Sequence, residues 1–345
     1  MNHILDLDKQ SDELFKVFAK IQEGNTILFL GAGASVGEKR YLSKELIDYY
    51  EAYLKKSINE TNITRWIDIL SADQIFDRKH FDTETVKILH KLPVSDAHKI
   101  LASIRWREII TTNFDLLLER AYDDIENTSN KVLDLKTVKN LKQYNYKESN
   151  NEVRYVKLNG CIQDSSLYPL AFSTDDFKKL NSFYKNVLND LKNLSDNISF
   201  LSIGYSYTDE FGRGLLEKFD SYNYRERRWI LNVDPYPNEN ALSYYTKNKI
   251  CIIKSSFQDF FTRYQEWERT SSDSIIKRKG LSITSSKGSQ IGAPYRLLLN
   301  MDGVIRQLNT QSKERFIKES EFYKGEEPTF NLISRGVDVV RSKML

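Results

Sequence analysis

The sequence predicts an α/β fold in which one parallel sheet, fed by helical connections, gathers polar loops on a single rim. Five short runs carry this expectation: Thr26–Leu30, Ile109–Thr112, Tyr155–Leu158, Ile198–Ile203 and Arg228–Val233. Each is rich in β-branched or aromatic residues and is short enough for a buried strand. Each then releases Gly, Asn, Ser or Asp, and the stretches between several of them have helical periodicity. Loops at the carboxyl ends of such strands are where open α/β sheets take ligands, so that rim is the candidate pocket.

Met1–Lys20 alternates charged and apolar residues at helical spacing, without the apolar centre of a signal peptide. The first strand runs into Gly31-Ala32-Gly33-Ala34-Ser35, a glycine turn expected to open a helix. Backbone N–H groups and a helix dipole there can receive a diphosphate. The same small residues also serve where a helix merely packs tightly on a sheet. Residues 40–105 read as helical, with an aromatic and aliphatic stripe along Tyr41–Leu54. His98, alone on one of these helices, reads as a packing or hydrogen-bonding residue and not as a catalyst.

The second strand breaks into Asn113-Phe114-Asp115 before the helical pattern Leu116–Ala121. Asn113 and Asp115 therefore stand at the rim, where they serve either a ligand or the cap of the following helix. Residues 125–151 are polar and asparagine-rich and read as a surface excursion. The third strand ends in Asn159-Gly160, and a polar helix follows from Thr174 to Leu194 with Ser173 or Thr174 as its N-cap. Gly204 and Ser206 end the fourth strand. Asn232 and Asp234 end the fifth, as ligand contacts or as caps of the turn before Pro235. Glu268–Lys279 reads as a linker, and Pro294–Ile305 as a strand and turn.

With 345 residues and 40% hydrophobic content, the chain can bury one large domain with an extension. Its 51 basic and 48 acidic residues leave a net charge of +3, too even to imply nucleic-acid binding. No apolar run approaches the roughly 18 residues of a membrane span, so cytoplasmic localisation is expected. Cys161 and Cys251 are the two cysteines, far apart and with no Cys-x-x-Cys, which argues against a zinc module or a disulfide scaffold. No phosphate loop of the GxxxxGK(S/T) type occurs, so any ATP-driven sensing is expected from another chain or from a C-terminal part outside this sequence.

GAGAS at 31–35, TTNFD at 111–115, KLNG at 157–160, GYS at 204–206 and NVD at 232–234, in this order, resemble the Sir2-like domain. The likeness is greatest to the bacterial branch whose members cleave NAD in antiphage defence, and it extends over about residues 15–265. It implies a Rossmann-like parallel sheet flanked by helices, with a helical insert at about 40–105. It assigns 1–265 to an NAD-binding, NAD-cleaving domain and 266–345 to a linker and small C-terminal extension that leads toward a sensor or NTPase module.

The resemblance also implies site roles. Gly31, Ala32, Gly33 and Ser35 would hold the NAD phosphates and neighbouring ribose, with Arg40 and Tyr41 in a loop over the site. Asn113 would orient the nicotinamide ribose and the attacking water, with Asp115 as the acid beside it. Gly204 and Ser206 would face adenosine, and Asn232 and Asp234 the adenine ribose. NAD is the implied substrate, with no further cofactor, no metal, no membrane partner and no nucleic acid, and the active form is expected to be a homo-oligomer.

One position departs from the pattern. The family's Lys-Leu-His-Gly is here Lys157-Leu158-Asn159-Gly160. A carboxamide cannot accept a proton as imidazole does near neutral pH, and general-base help is typically worth roughly 10²–10⁴-fold in rate. Three readings of Asn159 remain: an NAD hydrolase that is slow or partner-activated, a catalytically silent NAD or ADP-ribose binding module that signals through assembly, and an engineered change that traps bound NAD. A deacylase without zinc ranks below the first two.

Overall fold

The computed structural model describes residues 4–7, 12–35, 42–126, 133–144, 152–165, 167, 170–192, 198–205, 207, 214–215, 230–237, 245 and 250–278. The chain divides into two compact units, Met1–Arg263 and Tyr264–Leu345. The sheet lies in the first.

Eight parallel strands form that sheet: β1 Ile4–Asp6, β2 Thr26–Leu30, β3 Glu108–Thr111, β4 Asp134–Val138, β5 Glu152–Lys157, β6 Ser199–Ile203, β7 Ile230–Val233 and β8 Cys251–Lys254. Their order is β1-β8-β7-β6-β2-β3-β5-β4. The inner six, read from β5 to β8, follow the doubly wound order, and the chain reverses direction across the sheet between β2 and β6. The sheet therefore has its topological switch point at the end of β2, where the glycine turn begins.

The central strands are continuous apolar runs because both faces are covered. Ile27, Phe29, Ile110, Val156 and Phe200 share one core with Phe183, Val187, Leu188 and Leu191 of helix α8, Thr174–Lys192. The alternate residues Leu28, Ile109 and Leu201 are fully buried as well. The first unit also holds α1 Asp12–Gln22, α5 Asp96–Ala102, α6 Leu117–Glu126 and α7 Leu141–Tyr144, and α9 Phe257–Arg278 begins in it. Phe18 of α1 meets Phe260 of α9 edge to face, at 5.5 Å between ring centroids.

The insert is helical, as the periodicity predicts: α2 Leu42–Leu54, α3 Ile63–Ala72 and α4 Arg78–His90. Tyr50, Trp66 and Phe81 are the centre of a separate core that also takes in Phe114 of the rim and Phe172 ahead of α8. Arg78 ties this module to α8 and the segment ahead of it. It donates to Asp82 and to Asp176 of α8, and its other guanidinium nitrogen reaches the Leu170 carbonyl.

Four expectations are corrected. The first residues are not one helix: Ile4–Asp6 pair with Ile252–Lys254, and α1 starts at Asp12. Residues 125–151 are not solely an excursion, since β4 forms an edge strand beside β5. Its side chains alternate between exposed and half-buried, a weaker signal than a wholly buried strand gives. Glu268–Arg278 continue α9, because Arg, Glu and Ser without Gly or Pro are as compatible with a helix as with a linker. Finally, β8 joins the sheet beyond the five predicted strands. Lys279 and Pro294–Ile305 lie outside the described residues.

Candidate functional site at the strand rim

The register aligns the strand ends. Leu30 pairs with Thr111 and with Ile203, Thr111 with Lys157, and Ile203 with Val233. Gly31, Asn113, Asn159, Gly204 and Asp234 thus follow five neighbouring strands at one edge.

At the switch point the glycines are required by close backbone approach. A Cβ on Gly31 would lie 2.2 Å from the Gly204 oxygen, and one on Gly33 would lie 2.7 Å from the Gly204 Cα. Gly204 itself has φ +63°, in the left-handed region, and a Cβ there would meet Ala34 N at 2.5 Å. The amides of Gly31, Gly33, Ala34 and Ser35 donate to the carbonyls of Ile203, Gly204, Gly31 and Ala32. These N–H groups close the turn on itself and onto β6, while Ala32 and Gly33 remain exposed. The expected helix is a single 3₁₀ turn, Ala32–Ala34, and residues 36–41, including Arg40 and Tyr41, lie outside the described residues.

Ser35, Asn113 and Asp115 form one network. Asn113 Nδ2 donates to the Gly31 carbonyl at 2.9 Å and to Ser35 Oγ at 2.7 Å. Ser35 Oγ donates to Asp115 Oδ2 at 2.6 Å, and Asp115 Oδ1 accepts from Leu117 N at 2.9 Å. Asp115 therefore caps α6 and anchors the glycine turn with the same carboxylate. Both hydrogens of the Asn113 amide are committed, which fixes Oδ1 as the acceptor that this half-exposed side chain has left to offer.

Two buried cationic-type side chains support the network. Lys157 Nζ donates to Glu119 Oε1 at 3.0 Å, to the Phe114 carbonyl at 3.4 Å and to the Asp115 carbonyl. Burial opposes its charge, but Glu119, Cys161 and Asp115 outweigh burial and hold its pKa above the ordinary lysine value. His98 takes the opposite course. Burial pushes it down to about 4, against the nearby Asp115 charge and a bond to the Ala34 backbone. Its Nδ1 accepts from Ser95 N at 3.3 Å and lies 2.7 Å from Ser95 Oγ, so the neutral ring carries its proton on Nε2.

Asn159 is buried, and Tyr184 OH donates to its Oδ1 at 2.5 Å. Its backbone carbonyl accepts from Ala171 N at 2.8 Å. With Oδ1 taken, the carboxamide offers donors. The two asparagines are thus held in opposite senses: Asn113 presents oxygen and Asn159 presents nitrogen.

The remaining predicted residues are more dispersed. Asn232 lies inside β7, fully buried, accepting from Ser202 Oγ at 2.8 Å, with Nδ2 unpartnered among the described residues. Asp234 Oδ1 accepts from Tyr236 N at 2.9 Å, the turn-capping alternative. Ser206 lies outside the described residues. Lys157, Tyr184 and the His98 contact with the turn were not anticipated. A lysine ending an apolar strand was the one legible signal, whereas Tyr184 sits 25 residues from its partner on an amphipathic helix.

Residues 107–253 match the family model of the SIR2-like domain. Over those residues the chain is similar to a SIR2-like domain. Among curated proteins it is similar to NAD(+) hydrolase ThsA of Bacillus cereus, 27% identical over 230 residues, covering 63% of this chain and 44% of that protein. NAD(+) hydrolase ThsA of Enterococcus faecium is 25% identical over 260 residues, covering 72% of this chain and 48% of that protein. The chain spans about half the length of these relatives. A solved Sir2 homologue in complex with 2'-O-acetyl ADP ribose matches with TM-score 0.43 and 11% identity, over 80% of this chain and 99% of that one. Among the described residues no helix is long and apolar enough to cross a membrane, and no group of three or more His, Cys, Asp or Glu is arranged to hold a metal ion.

Proposed function

We propose that this SIR2-like chain is an NAD+ glycohydrolase that releases nicotinamide and ADP-ribose, and that it serves as an NAD-depleting effector in antiphage defence. The observation that carries this reading is the Asn113 carboxamide, fixed at the switch point by Gly31 and Ser35 with its oxygen left to accept. The curated relatives' name, NAD(+) hydrolase, agrees with it.

The chemistry asks little of a base. Nicotinamide leaves with the electron pair of its bond to the ribose carbon, and it leaves from a cationic ring. The oxocarbenium-like centre then takes a water oxygen, and the water's proton passes to solvent. Such a step needs position and electrostatics more than proton abstraction. Asn113 Oδ1 would hold the ribose and the water, the Asp115 carboxylate would lend negative charge nearby, and Asn159 would donate to a ribose oxygen. The exposed face of the 31–35 turn would meet the diphosphate. We place the active form in the cytoplasm as a homo-oligomer, silent until a sensor module in this protein or a partner assembles it.

The test is chromatography of NAD incubated with the full-length protein, monomeric and assembled, beside Asn113→Ala. Nicotinamide and ADP-ribose should appear together, and Asn113→Ala should lower the rate by about 100-fold or more. Unchanged hydrolysis in that variant would remove the assigned role. The carboxamide at 159 favours one second reading, a silent NAD or ADP-ribose binding module. That reading requires bound NAD to be recovered intact from the assembled protein.

A further inference from the structure

We infer that Tyr184 is the positioning residue for Asn159, and that the pair works as a fixed N–H donor toward an oxygen of the bound dinucleotide. The inference rests on the NAD reading above and deepens it.

A carboxamide on its own is ambiguous: turned by half a rotation about χ2, it exchanges acceptor for donor. Here the choice is made by a neighbour. Tyr184 OH donates to Oδ1 at 2.5 Å, so turning the amide over would give up that bond and set N–H against O–H. Tyr184 is buried in the core with Phe183, Val187 and Leu188, so its hydroxyl is held from below by packing. The helix that carries it is pinned at its start. Asp176 N donates to Ser173 Oγ at 3.2 Å, Asp176 Oδ2 accepts from Ser173 N at 3.1 Å, and Arg78 grips the same carboxylate at 2.8 Å. The other side of Asn159 is fixed by the bond from Ala171 N to its carbonyl. Backbone and side chain of Asn159 are thereby referenced to α8 and its lead-in segment.

The consequence is chemical. Where a histidine in this position can take a proton, the Tyr184–Asn159 pair can only donate. It stabilises an oxygen in place and leaves the proton to solvent. Turnover should therefore show no ionisation belonging to residue 159, and loss of the Tyr184 hydroxyl should be felt in turnover through Asn159.

The experiment is a double-mutant cycle on the full-length protein with Tyr184→Phe, Asn159→Ala and both together, reading kcat and KM for NAD and, by calorimetry, Kd for NAD. Tyr184→Phe should lower kcat by about tenfold with KM within about twofold, and the loss should vanish in the Asn159→Ala background. If NAD is bound without being cleaved, the same coupling should appear in Kd. A Tyr184→Phe protein within about twofold of the parent, or a loss that persists undiminished beside Asn159→Ala, overturns the inference while leaving NAD cleavage standing. A parent protein that neither binds nor cleaves NAD overturns the underlying reading, and this inference with it.

Discussion

Ser35 and Asp115, 80 residues apart in the chain, share a 2.6 Å hydrogen bond that ties the glycine turn after β2 to the start of α6. Because Asn113 Nδ2 also reaches Ser35, one hydroxyl organises the turn, the asparagine and the acid. Ser35→Ala should cost about 1–3 kcal/mol of stability, since it leaves a buried carboxylate oxygen and an amide hydrogen unpaired. It should also lower NAD turnover by about tenfold by freeing the Asn113 amide to rotate. Denaturant unfolding beside nicotinamide release checks both, and a stable, fully active variant would separate Ser35 from the site.

Gly31→Ala and Gly204→Ala should each destabilise the fold severely, by about 3 kcal/mol or more, because the added Cβ meets backbone that cannot move aside. The loss should be read in unfolding midpoints without NAD. A mild effect would mean the turn can open from β6, and the close approach would then not explain these glycines.

Lys157→Met keeps much of the stem and removes the charge. Glu119 and two rim carbonyls would lose their donor, at a cost of about 3 kcal/mol. Soluble expression and unfolding in urea measure it; an unchanged midpoint would contradict the role given to the buried ammonium.

His98 gives a pH dependence. Its folded pKa of about 4 lies below an unfolded value near 6.5, so its contribution is fully present above about pH 6.5 and is lost as pH falls toward 4. The ceiling is about 3 kcal/mol. His98→Gln should flatten the fall in stability across this window relative to the parent. Parallel curves for the two proteins would show that other groups carry the acid sensitivity.

Asn159→His tests the departure from the family pattern directly. A base at 159 should raise NAD turnover by about tenfold or more and add a pH-rate limb near 6–7 that the parent lacks. No gain and no new limb would mean that the rim does not use a base at this position.

The sequence made the rim legible because each central strand is a continuous apolar run that stops at a polar residue. Gly31, Asn113 and Asn159 could be aligned from those stops alone. The edge of the sheet was harder. In β4, Asp134 and Lys136 are exposed on one side, and β1 has three residues, so neither produces a run that outweighs its polar surroundings. Within the site, the partner of Asn159 was hidden because Tyr184 on α8 reads as one more core aromatic. The engaged amides of the 31–35 turn could not be foreseen either, since they depend on Gly204 arriving from β6. Asn232 and Asp234 carried both a binding and a capping reading in the sequence, and the Asp234 bond to Tyr236 N supports capping for that residue.

The most direct measurement is the crystal structure of the protein soaked with NAD at saturating concentration, using Asn113→Ala should turnover clear the parent. The account predicts the dinucleotide along the ends of β6, β2, β3 and β5, with the nicotinamide ribose beside residue 113 and a ribose oxygen within hydrogen-bond reach of Asn159. A rim left empty at saturation, or NAD bound away from those strand ends, would contradict it.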